Sequence, residues 1–188
     1  MDDKENQLVA MVLAGNPDAF EPLVRPYRRA LLGLAYRITG NEEDAREAAQ
    51  EALLNSYRYL GGFDQRRSFR NWLLRILVNA AREAARSSSS NRALGLNDGA
   101  DPVEPAEGPA GRFERKELGL RLKDCLAVLS ERERDVFLLR DIEERSIRDT
   151  AEILGCSSAS VRVHLSRARI KVKAELERRY PGLAGGGS

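Results

Sequence analysis

Apolar residues recur along the chain at helical spacing, and no segment alternates with the period of a strand. Asn16-Pro17-Asp18 supplies an N-cap with proline at the first helical position, which opens a helical block. Leu31, Leu34, Ala35 and Ile38 mark the next helix, which Gly40-Asn41 ends. Asn41, with Asp44 three residues on, starts another helix that keeps Ala45, Ala48, Ala49, Ala52 and Leu53 on one face. Small residues there let two helix axes approach closely. After the turn GGFDQRR, Ser68 caps a helix with Leu73, Ile76, Leu77 and Ala80 inward.

A second block repeats the logic. Leu118, Leu122, Cys125, Leu126 and Leu129 form one stripe, and Ser130-Glu131-Arg132-Glu133 is a capping box ahead of Val136, Phe137 and Leu139. Ser146 to Asp149 is a further cap. In IRDTAEILGCSSASV, from Ile147, alanine stands fifth (Ala151), glycine ninth (Gly155) and valine fifteenth (Val161). A helix-turn-helix needs those types: a small residue where the helices touch, a left-handed turn, and an apolar anchor. Ser157 caps the last helix, whose inward stripe is Val161, Leu165, Ala168 and Val172. Ser160, Val163, Ser166 and Arg167 lie opposite, flanked by Arg162 and Arg169.

A plain helical hairpin would bury the same stripe. The turn spacing and the small, polar, arginine-bearing far face favour a helix that enters a major groove, since guanidinium forks suit guanine edges and phosphates. Ser160, Arg162, Val163 and Arg167 then stand nearest the bases, with Arg169, Lys171 and Lys173 on phosphates.

Between the blocks, residues 87–111 are rich in Ser, Gly and Pro, lack periodicity and carry Asp98, Asp101, Glu104 and Glu107, a linker composition. The expected organisation is therefore all-α: two small helical domains, 1–86 and 112–180, joined by a flexible linker at 87–111 and followed by a flexible tail at 181–188. A relaxed coil of that length spans about 25–30 Å and an extended one about 80–90 Å.

The chain of 188 residues has a net charge of only +2, unevenly placed. Glu42, Glu43, Asp44, Glu47 and Glu51 face Arg46 alone, whereas Arg66, Arg67, Arg70, Arg75, Arg82 and Arg86 face only Asp64 and Glu83. With the basic last helix, this pattern fits two nucleic-acid contacts and one acidic protein contact. A single histidine and two cysteines about thirty residues apart exclude a structural zinc cluster and make histidine-based catalysis a poor fit; Cys125 and Cys156 read as small buried hydrophobes. No apolar run approaches a membrane span, and the acidic amino terminus lacks a signal-peptide core.

At this point the residues carry a family likeness. LSERERDVFLLRDIEERSIRDTAEILGCSSASVRVHLSRARIKVKAEL resembles region 4 of the sigma-70 family, and DAFEPLVRPYRRALLGLAYRITGNEEDAREAAQEALLNSYRYLGGFDQRRSFRNWLLRILVNAARE resembles region 2. Without region 1.1 or a helical region 3, the pattern is similar to the extracytoplasmic-function (ECF) group. The resemblance implies a non-enzymatic cytoplasmic transcription factor with no cofactor. Its implied partners are core RNA polymerase (β′ clamp helices and β flap), promoter DNA and an anti-sigma factor.

It also implies site residues. Glu47, Gln50 and Glu51 would dock on the β′ clamp helices, Glu47 standing where the family usually has Asp. Phe63, Arg66, Arg67, Ser68 and Phe69 would form the loop that opens the −10 element, with Arg75 and Asn79 on the helix facing −10 DNA; Trp72 reads as core. Ser158, Ser160, Arg162, Val163, His164, Arg167, Arg169 and Lys171 would face the −35 element, His164 standing where Arg is frequent. The acidic linker resembles those that thread the RNA exit path, and when extended it reaches the roughly 60 Å between −10 and −35 centres. A stand-alone helix-turn-helix regulator is the rival. A recombinase-like enzyme would need a nucleophile among arginines on a catalytic fold, which an all-helical first block does not offer.

Overall fold

The computed structural model describes residues 3–93 and 124–180, and every regular element among them is a helix. Helix starts fall where a side chain can satisfy the first free amides. Asn41 Oδ1 accepts from the amides of Glu43 and Asp44 at 2.8 and 3.2 Å, while its Nδ2 donates to the Asp44 carboxylate at 2.9 Å. That cap opens α4, Glu42–Arg58, just after α3, Arg28–Thr39, has ended on Gly40 at φ 72°. A left-handed residue there costs glycine nothing.

α4 buries Ala45, Ala48 and Ala52, and helix α5, Phe69–Ala93, packs against both α3 and α4. Being covered from two sides, α5 buries a wider arc than its sequence stripe marks out. Leu73 and Leu77 are buried as expected, but Leu74 and Val78 are buried too, while Ile76 and Ala80 are only half covered. Ser68 caps α5 as read, accepting from the Asn71 amide at 3.2 Å.

Three features differ from the sequence pattern. Helix α1, Asp3–Leu13, precedes the first recognised cap, its fully buried anchor being Val9. Asn16-Pro17 opens a 3₁₀ turn, Pro17–Ala19, before the short α2, Phe20–Val24, and a second 3₁₀ turn at Arg25–Tyr27, because Pro22 and Pro26 remove amide donors from any longer helix. Finally, α5 continues to Ala93, seven residues into the stretch read as linker. Serine is a mediocre helix former but not a breaker, and the first glycine downstream is Gly95. The rest of the linker, Leu118, Leu122 and the tail lie outside the described residues.

The chain forms two units, one built from α1–α5. The other holds α6, Glu131–Phe137, most of α7, Ile147–Leu154, and α8, Ser158–Arg179. Ser130 and Glu133 cap α6 reciprocally: the Ser130 amide donates to Glu133 Oε2 at 2.9 Å and the Glu133 amide to Ser130 Oγ at 3.4 Å. α6 then widens into a π turn at Leu138–Ile142, where the Glu143 amide reaches back five residues to the Leu138 carbonyl at 2.8 Å. The wider turn lets the successive residues Leu138 and Leu139 both bury. α8 packs its Val161, Leu165, Ala168 and Val172 stripe inward, with α6 as its main neighbour. Cys125 is buried, which raises its thiol pKa, whereas Cys156 is half covered; both are free. Among the described residues no helix is long and apolar enough to cross a membrane.

After the π turn the backbone must reverse, and Glu144 does so at φ 53°, in the left-handed region that costs an L side chain about 1–2 kcal/mol. Glu144→Gly is expected to raise stability by about 0.5–1 kcal/mol, the relief exceeding glycine's extra unfolded-state entropy. Glu144→Val should lower it. Thermal melts of the three proteins check the order.

Candidate nucleic-acid and protein interfaces

The turn before α8 is built as the spacing required. Ala151 is buried, Gly155 sits at φ 61°, and Ser157 Oγ accepts from the Ser160 amide at 3.1 Å. Because all four stripe residues of α8 are inward, helical geometry turns Arg162, Val163, Ser166 and Arg167 to solvent. Ser158, Ser160 and His164 lie partly covered at the edge. Arg162 and Arg167 make no hydrogen bond or ion pair with the described residues, so their guanidinium groups are available to an outside anion.

Arg169 and Lys171 are different. Arg169 grips Asp141 through two bonds, Nε to Oδ2 at 2.9 Å and Nη2 to Oδ1 at 2.6 Å. Lys171 Nζ donates to Glu133 Oε2 at 2.7 Å. Two of the three cations read as phosphate contacts are thus engaged across their own unit, one on each flank of α8, while the third, Lys173, stands 3.8 Å from Glu177 on the exposed side of the same helix. Asp141 and Glu133 are partners of α8 that the sequence did not reveal. Glu133 could be recognised as a capping residue, but nothing in its spacing shows that it also meets a lysine 38 positions away. The ammonium of Lys171 and the Ser130 amide hold the Glu133 carboxylate down to about 2. Arg178 and Arg179 do the same for Glu175, also to about 2.

In the first unit, Arg66 and Arg67 are exposed at the turn before α5. Asp64 organises that turn, accepting from the Arg66 amide at 3.1 Å and from its Nε at 2.9 Å, and the guanidinium keeps the Asp64 carboxyl below the ordinary range. Ser68 is spent on the α5 cap. Phe63 and Phe69, read with Arg66, Arg67 and Ser68 as one loop, do not share the arginines' exposure. Phe69 is 0% exposed and Phe63 is buried, their rings 5.6 Å apart and edge to face. Both pack on Trp72, at 5.7 and 5.1 Å, and Tyr27 closes the group. A turn of Gly, Asp, Gln and Arg offers nothing apolar to cover two phenyl rings, so they fold under it and anchor its ends. Trp72 joins this cluster while remaining partly exposed. Further along α5, Arg75 and Asn79 are exposed, and Asn79 lines a shallow groove with Arg82, Glu83 and Arg86.

On α4 the buried alanines leave Glu47, Gln50 and Glu51 on the open side. Glu51 accepts from Asn55 Nδ2 at 2.7 Å. Beside them the sequence pattern missed Leu54, 44% exposed, and Tyr57, 45% exposed, with the Tyr57 ring held edge-on at 5.1 Å from Phe20. The spacing 47, 50, 54, 57 is itself a helical stripe, legible only once the alanine stripe is known to be the buried one. Among the described residues no group of His, Cys, Asp and Glu is gathered to hold a metal ion.

Comparison with known proteins matches residues 23–91 to the family model of sigma-70 region 2 and residues 119–172 to that of sigma-70, region 4. The RNA polymerase sigma-H factor of Pseudomonas aeruginosa is 30% identical over 183 residues, covering 93% of this chain and 95% of its own. The ECF RNA polymerase sigma factor SigM of Mycobacterium tuberculosis is 31% identical over 166 residues, covering 88% of this chain and 81% of its own. Among solved structures, CnrH in complex with the cytosolic domain of CnrY superposes with a TM-score of 0.72 at 28% identity, over 94% of this chain and 99% of the other.

The Glu133 geometry fixes a pH dependence. Its carboxyl titrates near 4.5 when free and near 2 when folded, so its stabilisation is complete above about pH 4.5 and is lost as pH falls toward 2. Glu133→Gln keeps a side chain able to complete the capping box but removes the charge. It is expected to lower the thermal midpoint at pH 7 and to flatten its decline between pH 4.5 and 2, as followed by circular dichroism.

Proposed function

The chain belongs to the ECF group of the sigma-70 family, and from that premise we infer that it binds core RNA polymerase and directs it to promoters. It recognises −10 and −35 elements and helps to melt the −10 region. The observation that carries this reading is the pairing of two helical units in region 2 and region 4 order, the second exposing α8 with Arg162 and Arg167 unengaged. It works in the cytoplasm, with no catalytic chemistry of its own.

The domains divide as region 2 up to the end of α5, then the linker, then region 4. On α8, Ser158, Ser160, Arg162, Val163, His164 and Arg167 meet the −35 duplex, Arg162 and Arg167 supplying the forks. Arg169 and Lys171 brace the helix and reach phosphates only by exchanging a carboxylate for one. In region 2, Arg66, Arg67, Arg75 and Asn79 carry the −10 strand. Phe63 and Phe69 shape the turn, and they could offer a ring to an extruded base only if the aromatic cluster opened, which adds to the few kcal/mol that base extrusion costs. Glu47, Gln50, Glu51 and Leu54 dock on the β′ clamp helices, and region 4 on the β flap. An anti-sigma factor is a fitting regulator, as the sigma factor RpoE of Bartonella quintana, similar in fold at a TM-score of 0.63, was solved with the anti-sigma factor NepR.

Core docking is tested by charge reversal at exposed positions of α4 whose side chains make no hydrogen bond or ion pair with the described residues. Glu47→Arg with Gln50→Ala should leave helicity and melting unchanged and weaken core binding at least about tenfold, a loss of about 1.4 kcal/mol. Leu54→Ala should weaken it less. Unchanged affinity in a core-binding titration would remove α4 from the interface.

The free protein is expected to bind promoter duplex weakly, with salt-sensitive Kd on the order of 10⁻⁴–10⁻⁶ M, because α8 has few unengaged cations and the −10 residues have little to grip before the strands part. Tight, sequence-specific binding should appear only with core polymerase. A gel-shift titration at about 150 mM salt checks this, and nanomolar duplex binding by the free chain would indicate a stand-alone regulator instead.

A further inference from the structure

His164 is the chain's single histidine, and it lies on α8 one turn from Ser160 and from Arg167. Its two ring nitrogens are in unlike surroundings. Nδ1 is sealed from solvent and has no hydrogen-bond partner, whereas Nε2, also unbonded within the protein, remains open to the surface. A proton on Nδ1 would bury an N–H with no acceptor, which proteins tolerate less well than a bare acceptor nitrogen. The neutral ring is therefore held in one tautomer, with its proton on Nε2 and its single donor pointing outward.

We propose that His164 is a specificity-determining residue of −35 recognition, acting through Nε2–H as one neutral, fixed donor to an acceptor on the DNA. This rests on α8 being the −35 reader. The acceptor is a base edge, such as guanine N7 or O6, adenine N7 or thymine O4. A phosphate oxygen would accept the same bond but carries no sequence information. A neutral donor also differs from its neighbours Arg167 and Lys171 in releasing no counterion, so it contributes contact without salt sensitivity.

Amide side chains separate the two nitrogens, because the glutamine amide reaches about where Nε2 stands and the asparagine amide about where Nδ1 stands. Holoenzyme binding is measured on a promoter library with fixed −10 element and spacer, varied −35 positions and a salt titration. His164→Ala is expected to cost about fivefold in affinity for the preferred −35 sequence. His164→Gln should stay within about twofold of the parent and His164→Asn should fall with alanine, all at one salt slope. A loss confined to one −35 position supports the proposal, and a uniform loss, the mark of a phosphate contact, overturns it.

The proposal is overturned if asparagine rescues and glutamine does not, if alanine matches the parent, or if the salt slope drops by about one, the mark of a charged contact. Arg167→Ala on the same library separates the two levels. If it weakens −35 binding while every His164 variant matches the parent, only the histidine assignment fails. If it too changes nothing, α8 is not the −35 reader.

Discussion

The packing of one stripe of α8 constrains everything the second unit can do. Val161, Leu165, Ala168 and Val172 turn inward toward α6, and burying side chains of this size is worth roughly 1–3 kcal/mol each. Once that stripe is inward, the 3.6-residue period leaves no freedom about which side chains face out. Val163 and Arg167 are exposed because Val161 and Leu165 are not. The left-handed Gly155 and the Ser157 cap set where α8 begins, so the N-terminal turn of the helix emerges with its small serines foremost. Stability and exposure of the reading face are consequences of the same burial.

Charge on α8 is divided between two tasks. On the flanks, Arg169–Asp141 and Lys171–Glu133 tie the helix to the segment formed by α6 and its π turn. Pairs this exposed on the cation side contribute modestly to stability, but a bidentate guanidinium restrains rotation of the helix about its own axis. Arg162 and Arg167 carry no such restraint. A helix held at both edges loses less freedom of its own on meeting DNA, whereas ordering each unengaged arginine there costs about 0.5–1.5 kcal/mol.

The first unit reaches an analogous division with different residues. Alanines let α4 lie close on its neighbours, and what remains outward is a stripe of Glu47, Gln50, Leu54 and Tyr57. At the connection between α4 and α5, four aromatic rings gather beneath the turn that carries Arg66 and Arg67. The turn is therefore shaped from below by apolar packing and from above by Asp64. That leaves its arginines displayed on a stiff support rather than on a loose loop.

Local rules carried far in this chain. Helix starts at Asn41, Ser68, Ser130 and Ser157, the stop at Gly40, the alanine face of α4 and the inward stripe of α8 are all dictated by neighbours within a few residues, so they could be read without a structure. So could the two-block order and the family likeness. Tertiary structure decided what depends on residues far apart in sequence. Phe63 and Phe69 could face out or in by local criteria, and only the presence of Trp72 and Tyr27 around them made the interior the better solvent. Arg169 and Lys171 share the composition of phosphate contacts, and only the fold brings Asp141 and Glu133 to them, across 28 and 38 residues. The span of α5 past Ser87 and the tautomer of His164 belong to the same class. Periodicity reports which face of a helix is apolar, but what meets each face is decided by the rest of the chain.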